Sequence, residues 1–184
     1  MFIVFEGVDG SGKDTQLNKV FEYIWERNKN AQIWKTKEPT AYTDSWKKIL
    51  EKLKWPWFSS AKEALELYIK DREEQTEIRK EILKHSIILS SRFDYSTYAY
   101  QGVSWLSFEE IEKAHNYEKI IIPDISFIFN VSRENIDFLE KVNKKYLEVA
   151  GKFKNKRKIY IIDANKTIEE VFREVKNILD KYNF

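Results

Sequence analysis

Cysteine is absent from this 184-residue chain, methionine occurs once, proline three times and glycine five times. With no cysteine there is no disulfide framework and no thiolate metal site. Neither sign of charge is in excess: 32 basic side chains face 30 acidic ones, a formal net charge of +2. That balance removes the electrostatic case for general binding to nucleic acid or a membrane, so an anion must be bound locally by a few placed groups. Apolar runs are short, none has the length of a membrane span, and no signal-peptide pattern opens the chain. The expectation is a soluble, cytoplasmic enzyme. Its length suits one domain, residues 1–184, with a substantial core and no repeat, low-complexity tract or linker.

The scarce glycines are concentrated. Gly7, Gly10 and Gly12 follow the apolar run Phe2-Ile3-Val4-Phe5, and Lys13 comes next. The spacing Gly7, Gly12, Lys13 fits G-x-x-x-x-G-K. Glycines let the backbone curl and turn its amides inward. Those amides, the positive end of a helix starting near Lys13, and the Lys13 ammonium together offset the charge of a β,γ-phosphate pair. Helical spacing of Leu17, Val20, Phe21 and Ile24 supports that helix. Gly7, Val8, Asp9, Gly10, Ser11, Gly12, Lys13, Asp14 and Thr15 are thus the candidate triphosphate cradle. The last motif position, ordinarily a Ser or Thr whose hydroxyl ligates magnesium, is Asp14.

Beyond the cradle, short apolar runs at Phe2 to Phe5, Gln32 to Thr36, Ile87 to Ser90, Ile125 to Val131 and Lys158 to Ile162 alternate with amphipathic segments. This pattern predicts an α/β fold of the P-loop NTPase type, a five-stranded parallel sheet with helices on both faces. Helices are expected over Lys13 to Arg27, Asp44 to Leu53, Ser60 to Lys84, Ser107 to His115, Asn135 to Ala150 and Thr167 to Tyr182. Ser107 with Glu110, and Thr167 with Glu170, have capping-box spacing. Trp55-Pro56-Trp57 marks a connection, and packing under a loop is the commoner fate of such tryptophans. His85 and His115 fall on helices without a partner pattern, which favours a surface or packing role.

Five segments in order, FEGVDGSGKDTQ at 5–16, TKEPT at 36–40, LYIKDREE at 67–74, SRFDYSTYAYQG at 91–102 and PDISFIFNV at 123–131, resemble the thymidylate kinase family. The most specific part is the Asp71-Arg72 pair taken together with Arg92-x3-Ser96-x2-Ala99-Tyr100-Gln101-Gly102. The resemblance implies transfer of the γ-phosphate of ATP to dTMP with Mg2+, by an enzyme of a homodimeric family. It also implies roles, residue by residue. Tyr68, one turn before Arg72, sits where the family stacks an aromatic on thymine. Arg72 would donate to the O4 edge and Thr97 would bond the N3 side. Arg92 falls on the acceptor-phosphate arginine, near Ser96. Asp9 matches a carboxylate on the sugar 3′ side, and Tyr100, beside Gln101, crowds the 2′ position. TKEPT departs from the family's Arg-Glu-Pro-Gly-Gly run, with Lys37 in place of the arginine. Taken singly these residues have other readings: Tyr68 as core, Arg72 paired with Glu66 or Glu74. The alternatives for the whole chain are a kinase for another pyrimidine nucleotide or a deoxynucleoside, or a nucleotide-binding paralogue without catalysis.

Two departures bear on chemistry. In the family an Asp precedes the arginine matched by Arg92 and a Ser follows the P-loop lysine; here Ser91 and Asp14 stand at those places, carboxylate and hydroxyl exchanged, and both are assigned to the metal. The lid segment after the Val131 strand is short: only Ser132 to Ile136 remain before the next helix, and Arg133 is the one arginine there to serve as donor-side cation.

Overall fold

The computed structural model describes residues 1–54, 58–104, 106–132 and 137–182. Trp55-Pro56-Trp57 and Arg133 lie outside the described residues. The apolar runs form five parallel strands, β1 Phe2–Glu6, β2 Ile33–Lys37, β3 Ile87–Ser91, β4 Ile125–Asn130 and β5 Ile159–Asp163. Their spatial order is β2-β3-β1-β4-β5, with Phe2 opposite Ile88 and Ile3 opposite Ile125. Central β1 is buried throughout, which is why it reads as an unbroken apolar run.

Eight α-helices surround the sheet among the described residues: α1 Lys13–Arg27, α2 Asp44–Lys54, α3 Ala61–Glu74, α4 Thr76–Leu83, α5 Asp94–Val103, α6 Phe108–Ala114, α7 Asp137–Phe153 and α8 Ile168–Leu179. The two-residue alternation of a strand decides what each face meets. Ile3 and Phe5 pack with Leu17, Val20 and Ile24 of α1 and Val171, Val175 and Leu179 of α8. Phe2 and Val4 point the other way, into a cluster with Ile88 and Phe93. Glu6 continues that second series. A carboxylate is thereby delivered to the interior, under α5 and α7.

Both expected capping boxes are present, at Ser107 with Glu110 and at Thr167 with Glu170. The helix expected over Ser60 to Lys84 is instead two helices meeting at Gln75. There the Gln75 N–H turns to the Arg72 carbonyl at 3.3 Å, and its buried side chain donates to the Asp71 carbonyl and carboxylate at 3.0 and 3.2 Å. Helix α5 was not foreseen as a helix. Asp94, Tyr95, Thr97, Tyr98, Ala99 and Gln101 are all buried, so no polar face marks its period.

β1 lies between β3 and β4; the chain leaves it outward to β2 on one side, and the later connection from β3 crosses to β4 on the other, so the direction of winding reverses at β1. The crevice at the carboxyl ends of such strands is where ligands of open α/β sheets bind. The P-loop follows β1 there and Arg92 follows β3. No helix among the described residues is long and apolar enough to cross a membrane.

Candidate active site

Gly7, Gly10 and Gly12 have φ of 150°, 73° and 82°, values that L side chains adopt at a cost. At Gly7 space matters too: a Cβ would lie 2.7 Å from the Ser11 Oγ and 3.0 Å from the Phe129 carbonyl oxygen. Gly12 begins α1 without a side-chain cap, so the positive helix end is left for a ligand. The Ser11 hydroxyl is buried and has no partner among the described residues. The Lys13 Nζ stands 3.7 Å from Asp9 and 3.6 Å from Asp14, on a side chain only 5% exposed. Burial, then repulsion from Arg92, lowers its pKa. An uncapped helix end, an unpaired hydroxyl and a buried ammonium fit a polyphosphate. Thr15 lies exposed in the first turn of α1.

Beside this cradle opens a cleft of about 360 Å³. Asp9 from the P-loop, Tyr68 and Arg72 from α3, Arg92 after β3, and Ser96, Thr97, Tyr100 and Gln101 from α5 all line it. The expected acceptor residues are therefore gathered in one place, except Lys37, which is exposed at the end of β2 and lines a neighbouring groove with Asp14 and Ser91.

Arg92 joins cradle and cleft. Its φ of 70° is in the left-handed region, which costs a non-glycine residue roughly 1–2 kcal/mol, and its N–H is tied to the Phe5 carbonyl at 2.9 Å. The guanidinium spreads its fork over Asp9 (2.6 Å), Ser96 (3.2 Å), Tyr100 (3.1 Å) and Tyr146 (3.1 Å). Burial raises the Asp9 pKa, but Arg92 and Lys13 outweigh it and hold the carboxyl below its usual range. Beneath Arg92, buried Glu6 accepts from the Phe93 N–H (2.8 Å), the Ser96 N–H (3.2 Å) and the hydroxyls of Ser96 (2.5 Å) and Tyr146 (3.2 Å). Burial pushes its pKa up to about 7. Glu6 stands just before the Gly7-to-Lys13 spacing and has no motif of its own. The available signal is a carboxylate ending an otherwise apolar strand.

Arg72 is 2% exposed and pairs with neither Glu66 nor Glu74. Its Nε donates to Glu38 at 2.8 Å, Nη2 to the Phe93 carbonyl at 3.1 Å and to Thr97 at 3.0 Å, and Nη1 meets His115 Nε2 at 3.1 Å. Glu38, from the TKEPT segment, also contacts Arg79 at 2.7 Å. Asp71 accepts from the Thr40 N–H (3.0 Å) and hydroxyl (2.9 Å) and from Thr43, binding that segment to α3 despite its missing glycines. Tyr68, half-buried, has its ring 5.9 Å from that of Phe58. His115, expected at the surface or in packing, is packed between the rings of Tyr98 and Tyr117 and also meets Arg72. It is buried at the end of α6, 43 positions from the arginine it touches. His85 is exposed in the turn after α4.

Asp14 and Ser91 are in contact. The Ser91 hydroxyl donates to the Asp14 carboxylate at the mouth of the cradle. No group of three or more metal-binding His, Cys, Asp or Glu side chains occurs among the described residues. A site with one carboxylate and one hydroxyl suits magnesium, which keeps several waters and takes phosphate oxygens rather than an all-protein cage.

A parallel sheet in 2-3-1-4-5 order, a P-loop with its lysine and an arginine-floored cleft at the same sheet edge define a P-loop phosphotransferase. Comparison with known proteins narrows the class. The family model for thymidylate kinase matches residues 5–135. The chain is similar to a thymidylate kinase of Thermosipho melanesiensis, 33% identical with 98% of each chain covered, and to a probable thymidylate kinase of Methanocaldococcus jannaschii, 35% identical with 95% of this chain and 93% of the other covered. A crystal structure of thymidylate kinase from Ehrlichia chaffeensis superposes with a TM-score of 0.81 at 29% identity, covering 97% of this chain and 98% of that one. The chain belongs to the thymidylate kinase family, nucleoside monophosphate kinases that phosphorylate dTMP with ATP.

Proposed function

We propose that this chain transfers the γ-phosphate of MgATP to dTMP, with the triphosphate on the residue 7–15 cradle and dTMP in the adjoining cleft. One observation carries the reading: Arg92, at the floor of the cleft, is bonded at 2.6 Å to Asp9 inside the P-loop, so a phosphate held by Arg92 lies beside one held by Lys13. Transfer forms a bond from an acceptor phosphate oxygen to the γ-phosphorus and breaks its bond to the β,γ-bridging oxygen. The protein's part is alignment and charge. The Arg92 fork meets the acceptor phosphate by exchanging contacts it now makes to hydroxyls, such as that of Tyr100, for phosphate oxygens. Lys13 and the α1 terminus stabilise charge on the donor. Asp9, kept ionised, orders Arg92 and faces the sugar.

In the cleft, Tyr68 stacks on thymine, Arg72 and Thr97 face its polar edge, and Tyr100 and Gln101 close on the sugar. Asp14 and Ser91 hold the magnesium, which when bound neutralises phosphate oxygens. Lys37 adds a point charge at the groove beside them. Arg133 is the donor-side cation of a lid remnant near 132–136. The chain acts as one domain, in the cytoplasm, as a homodimer joined through the helices between Ser60 and Lys84.

A coupled ADP assay with MgATP and a panel of dTMP, dUMP, dCMP and thymidine tests the reading. Turnover highest with dTMP is expected. Turnover with thymidine and none with dTMP points to a nucleoside kinase, and no turnover with any acceptor overturns the assignment.

A further inference from the structure

Arg72 is held on three sides, and the fourth side is His115. A guanidinium has five N–H donors in one plane. Glu38, Phe93 and Thr97 take those of Nε and Nη2, and His115 takes one from Nη1. Among the described residues the second Nη1 hydrogen has no partner, and Arg72 lines the cleft. His115 does not line it. It stands behind the arginine. Its Nδ1 lies 2.8 Å from the Ile111 carbonyl, an oxygen that only accepts, so Nδ1 carries the proton and Nε2 is left as an acceptor aimed at Arg72. The ring is kept in place by Tyr98 and Tyr117, nearly parallel to it at centroid distances of 5.1 and 5.3 Å.

We propose that His115 is a positioning residue for thymine recognition: by accepting one Nη1 hydrogen of Arg72 it directs the other into the cleft, toward the base carbonyl. The inference rests on the reading of Arg72 as the residue that reads that carbonyl. Neutral imidazole is required, because an imidazolium would present a donor and a positive charge to a guanidinium. The surroundings keep it neutral. Burial, then Arg72 from α3, depresses the pKa of His115 to about 4, with Arg157 acting in the same direction and Asp94 against them. Without the acceptor, Nη1 holds an unpaired buried hydrogen and the fork turns to satisfy it.

The test is isothermal calorimetry of dTMP, dCMP and an ATP analogue with wild type, His115→Phe, His115→Gln and Arg72→Gln, each confirmed folded by its thermal transition. Phe keeps an aromatic ring but has no acceptor; Gln has an amide oxygen within reach. Expected is a loss of about tenfold in dTMP affinity for His115→Phe, little change for dCMP and the ATP analogue, and recovery in His115→Gln. If Arg72→Gln loses the preference for dTMP over dCMP and His115→Phe keeps it, the inference about His115 fails while the reading of Arg72 stands. Should Arg72→Gln itself keep the preference, both fail. Equal weakening of all three ligands in His115→Phe, or a fold lost in Phe with no preference recovered in a folded His115→Gln, shows a packing role and overturns the proposal.

Discussion

The Ser91 hydroxyl donates a hydrogen bond to the Asp14 carboxylate, joining the end of β3 to the first turn of α1. The two residues occupy positions where the family resemblance puts Asp and Ser. Their contact means that exchanging them keeps the same two groups at the same mouth of the cradle.

Asp14→Ser alone removes the carboxylate of this pair and should raise the magnesium concentration needed for half-maximal rate. Ser91→Asp alone places two carboxylates in contact and should alter metal affinity through their repulsion. The double variant restores the complement of one carboxylate and one hydroxyl. A double-mutant cycle across a magnesium titration should give a coupling on the order of 0.5–3 kcal/mol, as for groups in contact. Additive losses would leave Asp14 with another purpose.

Lys13→Ala should abolish transfer while the fold persists. Its ammonium is buried, but its ion-pair partners Asp9 and Asp14 have side chains 77% and 69% exposed and can be solvated without it. The expected change in unfolding free energy is under about 1 kcal/mol. Near wild-type turnover in a steady-state assay would count against the cradle.

How much of this was legible in the sequence depended on how far apart the interacting residues lie along the chain. The strands announce themselves because buried parallel strands are short unbroken apolar runs, and the P-loop because its geometry needs glycine at fixed spacing. Helix α5 stayed hidden, although its motif was noticed, because a helix buried around most of its circumference carries no amphipathic stripe. Glu6 looked like the end of a strand until the alternation of β1 placed it under Arg92. The tie of His115 to Arg72, and of Glu38 to both Arg72 and Arg79, spans 34 or more positions and has no local signature. Such partners are made by the packing of α3 and α6 and by the TKEPT segment, not by any spacing.

Tyr68→Ala should weaken dTMP binding by roughly 1–3 kcal/mol, the range for stacking on a base, and leave ATP-analogue binding unchanged. Tyr68 lines the cleft and does not line the groove beside the cradle, so the effect is confined to the acceptor. Calorimetry with each ligand alone decides it, and equal weakening of both would mark Tyr68 as packing.

Glu6 gives the fold a pH dependence whose sign is fixed by its environment. Its pKa is raised from 4.5 to about 7 in the folded chain, chiefly by burial. Between those values the folded chain holds a proton that the unfolded chain has lost, so unfolding free energy falls as pH rises. The Glu6 contribution is fully present below about pH 4.5, declines through the interval and is gone once pH passes about 7. Its size is on the order of 3 kcal/mol. Glu6→Gln keeps a neutral side chain of the same shape, and the hydroxyls of Ser96 and Tyr146 can rotate to accept from the amide. Urea unfolding of wild type from pH 5 to 8 should show the decline, and Glu6→Gln should lack that component and be relatively more stable at the alkaline end. Parallel curves for the two proteins would show that Glu6 does not titrate in this interval. In that case the hydrogen bonds from Phe93, Ser96 and Tyr146 hold it charged beneath Arg92.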